Sequence, residues 1–453
     1  MFKKIEIWIL YLVILLGVVF SIGFSIFIGA LVRQELVGST KFGWLSKTAL
    51  SLAEIPINLK KTFDGVSLPD RFPSENSFSG TFNYQESYLL LSRYDGDLGE
   101  GIVELIDLTN FEVLHTWNPD IDAINNLVEQ IDDFKYLERD FNNGRHLLEH
   151  PQLTSDGGLV FNPIKKIDAC SNLVFQNTTN QFHHSIELDS EENIWVSSQI
   201  YPQSLPAAQV GRDTVADGGF KDDAIAKLSP SGTLLYEKSV AQIFIENDME
   251  YLLSMIGSSH QFEVDPIHIN DIHPAKFDSN YWKKGDLFIS LGHQSMIILY
   301  RPSTQKIIWK LNKDIFHQHD VNILNGHEIS IFNNNRKYFY PSQDVVDGNN
   351  EVLIYNFKTN EISTYLQDSI IKHDVRTITQ GRSRILPNGD LFIEETDYAR
   401  TLYFNSDGSL RWSHVNRASD GNLYRVGWSR ILYSPNDIRA IDKLLKSKGA
   451  CNE

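Results

Sequence analysis

Four stretches of this chain open on a histidine and continue as a short strand and turn: HPQLTSDGGLVF (150–161), HSIELDSEENIWV (184–196), HINDIH (268–273) resuming at KGDLFIS (284–290), and HDVNILNGHEISIF (319–332). A fifth, RSRILPNGDLFIE (382–394), has Arg382 where the others have histidine. Seven residues on stand Gly157, Glu191, Gly326 and Gly389, a common turn position in four of the five; the third stretch is interrupted after Pro274. If these are equivalent strands of a repeat, four imidazoles and one guanidinium converge on one place. A neutral imidazole is a nucleophile and base near pH 7, and a guanidinium holds two oxygens of an anion at once. The chemistry that suits such a cluster is the handling of an anion.

The elements that would bring these residues together are strands. From Thr81 onward short β-rich runs alternate with Gly, Asn, Asp and Ser, the pattern of antiparallel sheets with tight turns. Each unit passes from the histidine strand to a second apolar strand (LVF, IWV, LFIS, ISIF, LFIE), then to a third, then to a fourth that closes near an aromatic residue. Closures near Trp117, Leu173 to Phe175, Tyr236, Trp309, Tyr365 and Trp412 predict about six blades of a β-propeller, with the text after His414 completing the ring or returning to the axis. The innermost strand of each blade lines the central channel, so the histidines would meet at one of its mouths. Helical periodicity is confined to residues 121–136 and 240–255, which read as insertions.

Ahead of the strands, residues 7–32 form an apolar run without a charge, long enough at about 1.5 Å per residue to cross a ~30 Å hydrocarbon core. Its length and its ending at Ala30-Leu31-Val32-Arg33 favour an uncleaved anchor over a signal peptide. Lys3 and Lys4 place the short N-terminus in the cytoplasm and the bulk of the chain outside, on the periplasmic or extracellular face of a single-pass inner-membrane protein. The expected organisation is thus a cytoplasmic tip and anchor over 1–33, a stalk over 34–80, a propeller over 81–440 with a helical insertion near 121–150, and a tail over 441–453. A repeat fold accommodates that length because each unit packs on its neighbours. A net charge of −17 argues against a nucleic-acid surface. Cys170 and Cys451 are compatible with one disulfide in an oxidising compartment, or with a free thiol near the chain end.

DPIHIND (265–271), SLGHQS (290–295) leading into MIILYRPSTQKIIW, HQHD (317–320), IFNNN (331–335) and GRSRILPNGDLF (381–392) together resemble the bacterial arylsulfotransferase family over roughly residues 145–430. The resemblance implies a six-bladed periplasmic propeller that moves a sulfuryl group from a phenolic sulfate ester to another phenol without a nucleotide donor or other cofactor. Carried onto this chain, it implies catalytic roles for His184, His268 and His319, with His319 transiently sulfated; by the chemistry of the residues themselves, Asp320 or a carbonyl would orient its ring and Arg382 would join the histidines in holding the sulfuryl oxygens. Asn270, His293, His150 and Asp320 would bind substrate. Where the family has arginine in a Ser-x-Arg-x-Gln stretch, this chain has Gly292, and Arg382 is the residue expected to compensate.

Plainer readings compete. The histidines at inner-strand starts can be structural, hydrogen-bonding a neighbouring blade; His183, His273, His317 and His327 read as turn or surface residues, Asn270 and Asp271 as turn caps, and Trp309 and Trp412 as blade packing. No close carboxylate and histidine spacing of a known metal site is seen, so no metal is expected. The expected function is aryl sulfotransfer through a sulfohistidine, with an aryl sulfate and a phenol as small-molecule partners. The alternative is a non-catalytic, membrane-anchored propeller that binds an anionic or aromatic ligand or a partner protein.

Overall fold

The computed structural model describes residues 7–36, 44–46, 48–49, 52, 67–75, 77–128, 143–144, 146–179, 181–206, 220–254, 265–339, 343–447 and 451. The N-terminal helix and the β-rich remainder belong to two separate compact units. The helix, Ile7–Leu36, contains a candidate membrane span, Ile7–Arg33, most of whose apolar side chains are exposed.

The second unit is a six-bladed β-propeller. Blade 1 runs outward as Arg430–Leu432, Tyr88–Asp95, Glu100–Asp107 and Glu112–Trp117; blade 2 as Glu149–Leu153, Leu159–Asn162, Lys165–Ile167 and Leu173–Gln176. Blade 3 is Gln181–Leu188, Ile194–Ile200, Asp222–Leu228 and Leu234–Ser239, and blade 4 is Ile269–Pro274, Leu287–Leu291, Met296–Arg301 and Lys306–Leu311. Blade 5 is Val321–Asn325, Glu328–Asn333, Glu351–Asn356 and Glu361–Thr364; blade 6 is Arg382–Ile385, Leu391–Glu395, Arg400–Phe404 and Leu410–Val415.

Burial explains the text of each strand. Second strands such as Leu287–Leu291 are buried at every position because both faces press on adjacent blades, which is why they read as unbroken apolar runs. Outer strands such as Lys306–Leu311 alternate, one face in water. The expected aromatic closures fall on or beside the outer strands, and Trp117 and Trp412 are fully buried between blades.

Both chain ends enter the ring. Arg430–Leu432 supplies the innermost strand of blade 1, with Arg430 paired to Leu90, so the tail completes the propeller. Ser77–Gly80 adds a fifth strand outside Leu410–Val415, and Ser67–Leu68 pairs with Leu423–Tyr424. These residues were expected in a stalk; they have edge-strand backbone to satisfy and find it on the propeller. The C-terminal segment is likewise no tail. The helix Pro435–Ser447 crosses the expected boundary and buries Ala440, Ile441 and Leu444 against the core of blades 1 and 2, while Cys451 forms a disulfide with Cys170. Of the expected helices, Ile121–Asn125 and Val240–Glu246 form, the latter followed by a 3-10 turn at Glu250–Ser254; residues 129–136 of the first prediction lie outside the described residues.

The repeat register needs correction in more than one blade: in blade 5 the expected turn residue Gly326 is not left-handed, and the left-handed residue at the strand entrance is His317 in blade 5 and Gln380 in blade 6, not His319 and Arg382. Gly157 and Gly389 occupy left-handed turns at φ 85° and 84°, where a missing Cβ removes the steric cost, but in blade 3 that place is taken by Glu192 at φ 61°, not by Glu191. His184 therefore stands eight residues before its turn, one earlier than His150 and Arg382. A bulge between His183 and Ile186 absorbs the extra residue.

Candidate functional site

The entrance to each inner strand is built around a left-handed residue: Trp428, His150, His184, His268, His317 and Gln380 have φ of 63°, 56°, 56°, 51°, 50° and 51°. Non-glycine residues in this region cost free energy, and six of them around one channel mouth indicate positions over-determined by their surroundings. The strands they open are tied blade to blade. Ser185 Oγ accepts from the Ile272 amide at 3.1 Å, Asp271 Oδ2 from Val321 at 2.9 Å, Asp320 Oδ2 from Ser383 at 3.0 Å, and Glu394 from Trp428 and Ser429 at 2.7 Å each. Asp271 thus joins blades 4 and 5 instead of capping a turn. Asp320 holds the strand that carries Arg382.

The resulting mouth gathers the predicted histidines. The ring centroid of His268 lies 4.8 Å from His184, edge to face, and 4.3 Å from His293, nearly parallel. His184 Nδ1 is 2.6 Å from His183 Nδ1, and His293 is 5.9 Å from His317. His183 and His317, expected as turn or surface residues, are half-buried beside this group, His317 at a left-handed bend. His150 packs 4.3 Å from Trp428, and the Arg382 guanidinium sits 5.1 Å over the same indole. His273 is buried lower on the blade-4 strand and is not a surface residue either.

Electrostatics follow from burial. The imidazole of His184 is pushed well below its ordinary range by burial and then by His183, His268, His150 and His319. That of His150 is lowered by burial and by Arg430 and Arg382, and His319 is pushed down to about 3, mainly by burial. These three rings are neutral at pH 7 and each carries a lone pair. Arg382, 3% exposed, is a permanent cation whose Nη2 reaches Asp320 Oδ1 only at 3.6 Å. Its Nε and Nη1 have no hydrogen-bond partner among the described residues.

The other predicted residues are accounted for by packing. Asn270 is buried, donates to the Gln318 carbonyl at 2.8 Å, and fills the space beside Gly292, where a Cβ would approach its Nδ2 to 2.4 Å. His319, 6% exposed, has both nitrogens engaged: Nδ1 donates to Asn334 Oδ1 at 2.7 Å, and Nε2 accepts from the Gln380 amide at 3.0 Å. Trp428 and Arg430 went unnoticed in the sequence because they lie in the ring-closing tail, outside the repeated text. Arg430 spans the channel from blade 1, donating to the Pro151 and Ile186 carbonyls and to Glu187, each at 2.7–2.8 Å.

Asp265 was also missed. Its carboxylate accepts from His268 Nδ1 at 2.8 Å, and its carbonyl accepts from His293 Nδ1. Burial raises the Asp265 carboxyl, but the His268 hydrogen bond, with the charges of His268, Lys221 and His293, outweighs it and holds the group at about 2. One oxygen or nitrogen from each of Asp265, His268 and His293 lies within 4.8 Å of the others, so a carboxylate and histidine grouping does exist; the Asp-x-x-His spacing at 265–268 was its signal.

The chain matches none of the curated proteins. Among solved structures it is similar to a protein of unknown function from Bacteroides caccae (10% identity over 72% of this chain and 93% of that one, TM-score 0.40). It is also similar to a catalytically inactive virginiamycin B lyase from Staphylococcus aureus with quinupristin (9%, 58% and 68%, TM-score 0.32) and to the Pan2 WD40 domain of Neurospora crassa (8%, 74% and 78%, TM-score 0.37). The profile of the arylsulfotransferase (ASST) family matches residues 144–417, from the entrance of blade 2 to the end of blade 6. That match spans more than half of the chain and includes His150, His184, His268, His293, His319 and Arg382, and the chain belongs to the arylsulfotransferase family.

Proposed function

We propose that this protein transfers a sulfuryl group from an aryl sulfate ester to a phenol at the histidine-lined mouth of the propeller, the group passing through an imidazole nitrogen. The observation that carries this reading is Arg382: a buried guanidinium with two unpartnered nitrogens beside neutral imidazoles can hold the oxygens of an anion. Sulfuryl transfer, like phosphoryl transfer, depends chiefly on positioning and charge neutralisation, and a permanent cation among neutral nucleophiles supplies both. Splitting the transfer through a covalent histidine is ordinary nucleophilic catalysis.

The apolar helix supports a single-pass anchor in the inner membrane with the propeller on the periplasmic or extracellular side. The disulfide between Cys170 and Cys451 fits the oxidising compartment that this orientation provides.

One observation favours a second reading. Asn270 fills the space at Gly292 where the family has arginine, so the mouth has lost one anion donor, which suits a propeller that binds an anionic or aromatic ligand without turning it over. The deciding experiment incubates the full chain, in detergent, with para-nitrophenyl sulfate and phenol. Release of para-nitrophenol with formation of phenyl sulfate supports the transferase. Saturable binding of the ester with no phenol released supports the binder.

A further inference from the structure

We infer that Asp265, His268 and His293 form a binding site for one zinc-class divalent ion, whose open position takes an oxygen of an anion at the channel mouth. The ion site stands on the geometry of these three residues. Its part in group transfer rests on the transferase reading above.

The three side chains have the donors and the closeness that such an ion requires. One oxygen or nitrogen from each lies within 4.8 Å of the other two. Tetrahedral bonds of about 2.0–2.1 Å set neighbouring donors about 3.3–3.4 Å apart, so small side-chain rotations close the group around an ion. His268 Nδ1 and Asp265 Oδ2 already face each other at 2.8 Å. The ion takes the place of the proton between them, and the His268 ring stays neutral by carrying its hydrogen on Nε2. His293 donates Nδ1–H to the Asp265 carbonyl, which leaves its lone pair on Nε2 and fixes the ring, as a backbone carbonyl does behind many metal-bound imidazoles. Stacking at 4.3 Å holds the His268 and His293 rings together. Two imidazoles and a carboxylate suit zinc and its neighbours, whereas calcium and magnesium take oxygen-rich shells.

The placement of the group says what the ion does. The Gly292 amide donates to the His268 carbonyl at 2.8 Å, so the site is built on the two segments of blade 4 that meet at Gly292, a residue with no side chain to offer an anion. Arg382 comes from blade 6 and lies against Trp428. The Lys221 ammonium is 3.5 Å from Asp265, and its side chain, 48% exposed, can turn into solvent when an ion binds. Three protein donors leave a fourth position in a tetrahedral shell, and one carboxylate cancels half of the ion's charge. The bound ion is therefore a net cation open to the mouth, and a sulfuryl oxygen is a ligand that such a position polarises.

The test uses the full chain in detergent, purified without a histidine tag and stripped of metal by a chelator. Titration with Zn²⁺ alone against a chromophoric chelator is expected to show about one equivalent bound. Asp265→Asn and His293→Gln should each weaken binding by roughly a hundredfold or more, while His327→Gln, outside the group, leaves it unchanged. Co²⁺ in place of Zn²⁺ should give the visible bands of a four-coordinate site, and inorganic sulfate should shift them; this wild-type spectrum decides the matter even where a variant fails to fold. Release of para-nitrophenol should fall in the stripped protein and return with Zn²⁺. No binding, or binding that both variants keep, overturns the site. Cobalt bands that ignore sulfate, or phenol release that ignores zinc, overturn the anion-holding role. Zinc bound as expected with no phenol release under any condition sinks the transferase reading and leaves the ion site standing.

Discussion

Arg382 and Gly292 are the two positions at which the proposed function can be tested one residue at a time. Loss of one preorganised donor to a developing charge costs about 2.7–4 kcal/mol, so Arg382→Ala is expected to lower kcat for phenol release by about 10²–10³-fold. Arg382→Lys should recover little of it, because an ammonium keeps the charge and loses the planar fork. Equal activity in all three proteins would show that the guanidinium does not touch the transferred group. Gly292 is a packing residue in this chain. Gly292→Ala drives a Cβ to 2.4 Å from Asn270 Nδ2 and should destabilise by about 1–3 kcal/mol, read as a fall in the urea midpoint. The double change with Asn270→Ala should cost less than the sum of the singles, because the two side chains compete for one space. An additive cycle would mean that the clash is relieved elsewhere.

At the scale of elements, the strand Arg430–Leu432 closes the ring and the amide and carboxylate ties at inner-strand entrances hold the blades in register. Its residues reach far: Arg430 alone bridges blades 1, 2 and 3 through the Pro151 carbonyl and Glu187. Ending the chain at Ser429 exposes the inner edge of Tyr88–Asp95 and removes the helix Pro435–Ser447 that covers the core of blades 1 and 2. We expect such a protein to lose its cooperative thermal transition. A sharp transition near the wild-type temperature would show that five blades and a strand-deficient sixth are self-sufficient. The repeated aromatic closures were legible because an outer strand must cover its neighbour's core whichever blade it belongs to. The ring-closing strand was not, since it is separated in sequence by nearly the whole propeller from the sheet it completes.

For the whole molecule, two terms set the conditions under which the propeller survives. The disulfide between Cys170 and Cys451 closes a loop of 281 residues, and on the chain-entropy account opening it costs up to about 5 kcal/mol. Cys170→Ser should lower the denaturant midpoint accordingly, and an unchanged midpoint would mean the C-terminal helix is held by packing alone. Acid is the second term. His273, His319 and His414 are each pushed down to about 3, chiefly by burial, whereas in the unfolded chain they titrate near 6.5. Between those values the unfolded state binds protons that the folded state refuses, so stability is lost as pH falls from about 6.5 toward about 3. Each such histidine contributes a slope of up to about 1.4 kcal/mol per pH unit in that window. Urea unfolding at pH 7 and pH 5 checks the sign, and a midpoint that rises on acidification would contradict it.

The amino-acid text already specified the propeller, its six closures and an apolar helix long enough to cross a membrane, because strand alternation, turn chemistry and span length are local properties written within a few residues. What became of those residues was decided between blades. The one-residue slip at Glu192, the filling of Gly292's space by Asn270, and the capture of His319 Nε2 by the Gln380 amide all depend on neighbours from other strands. So does the anchoring of His293 on the Asp265 carbonyl, 28 residues away, whereas the pairing of His268 with Asp265 three residues before it was legible in the spacing. Hydrogen-bond partners across a channel are set by how strands are laid side by side, and spacing along the chain carries no record of that.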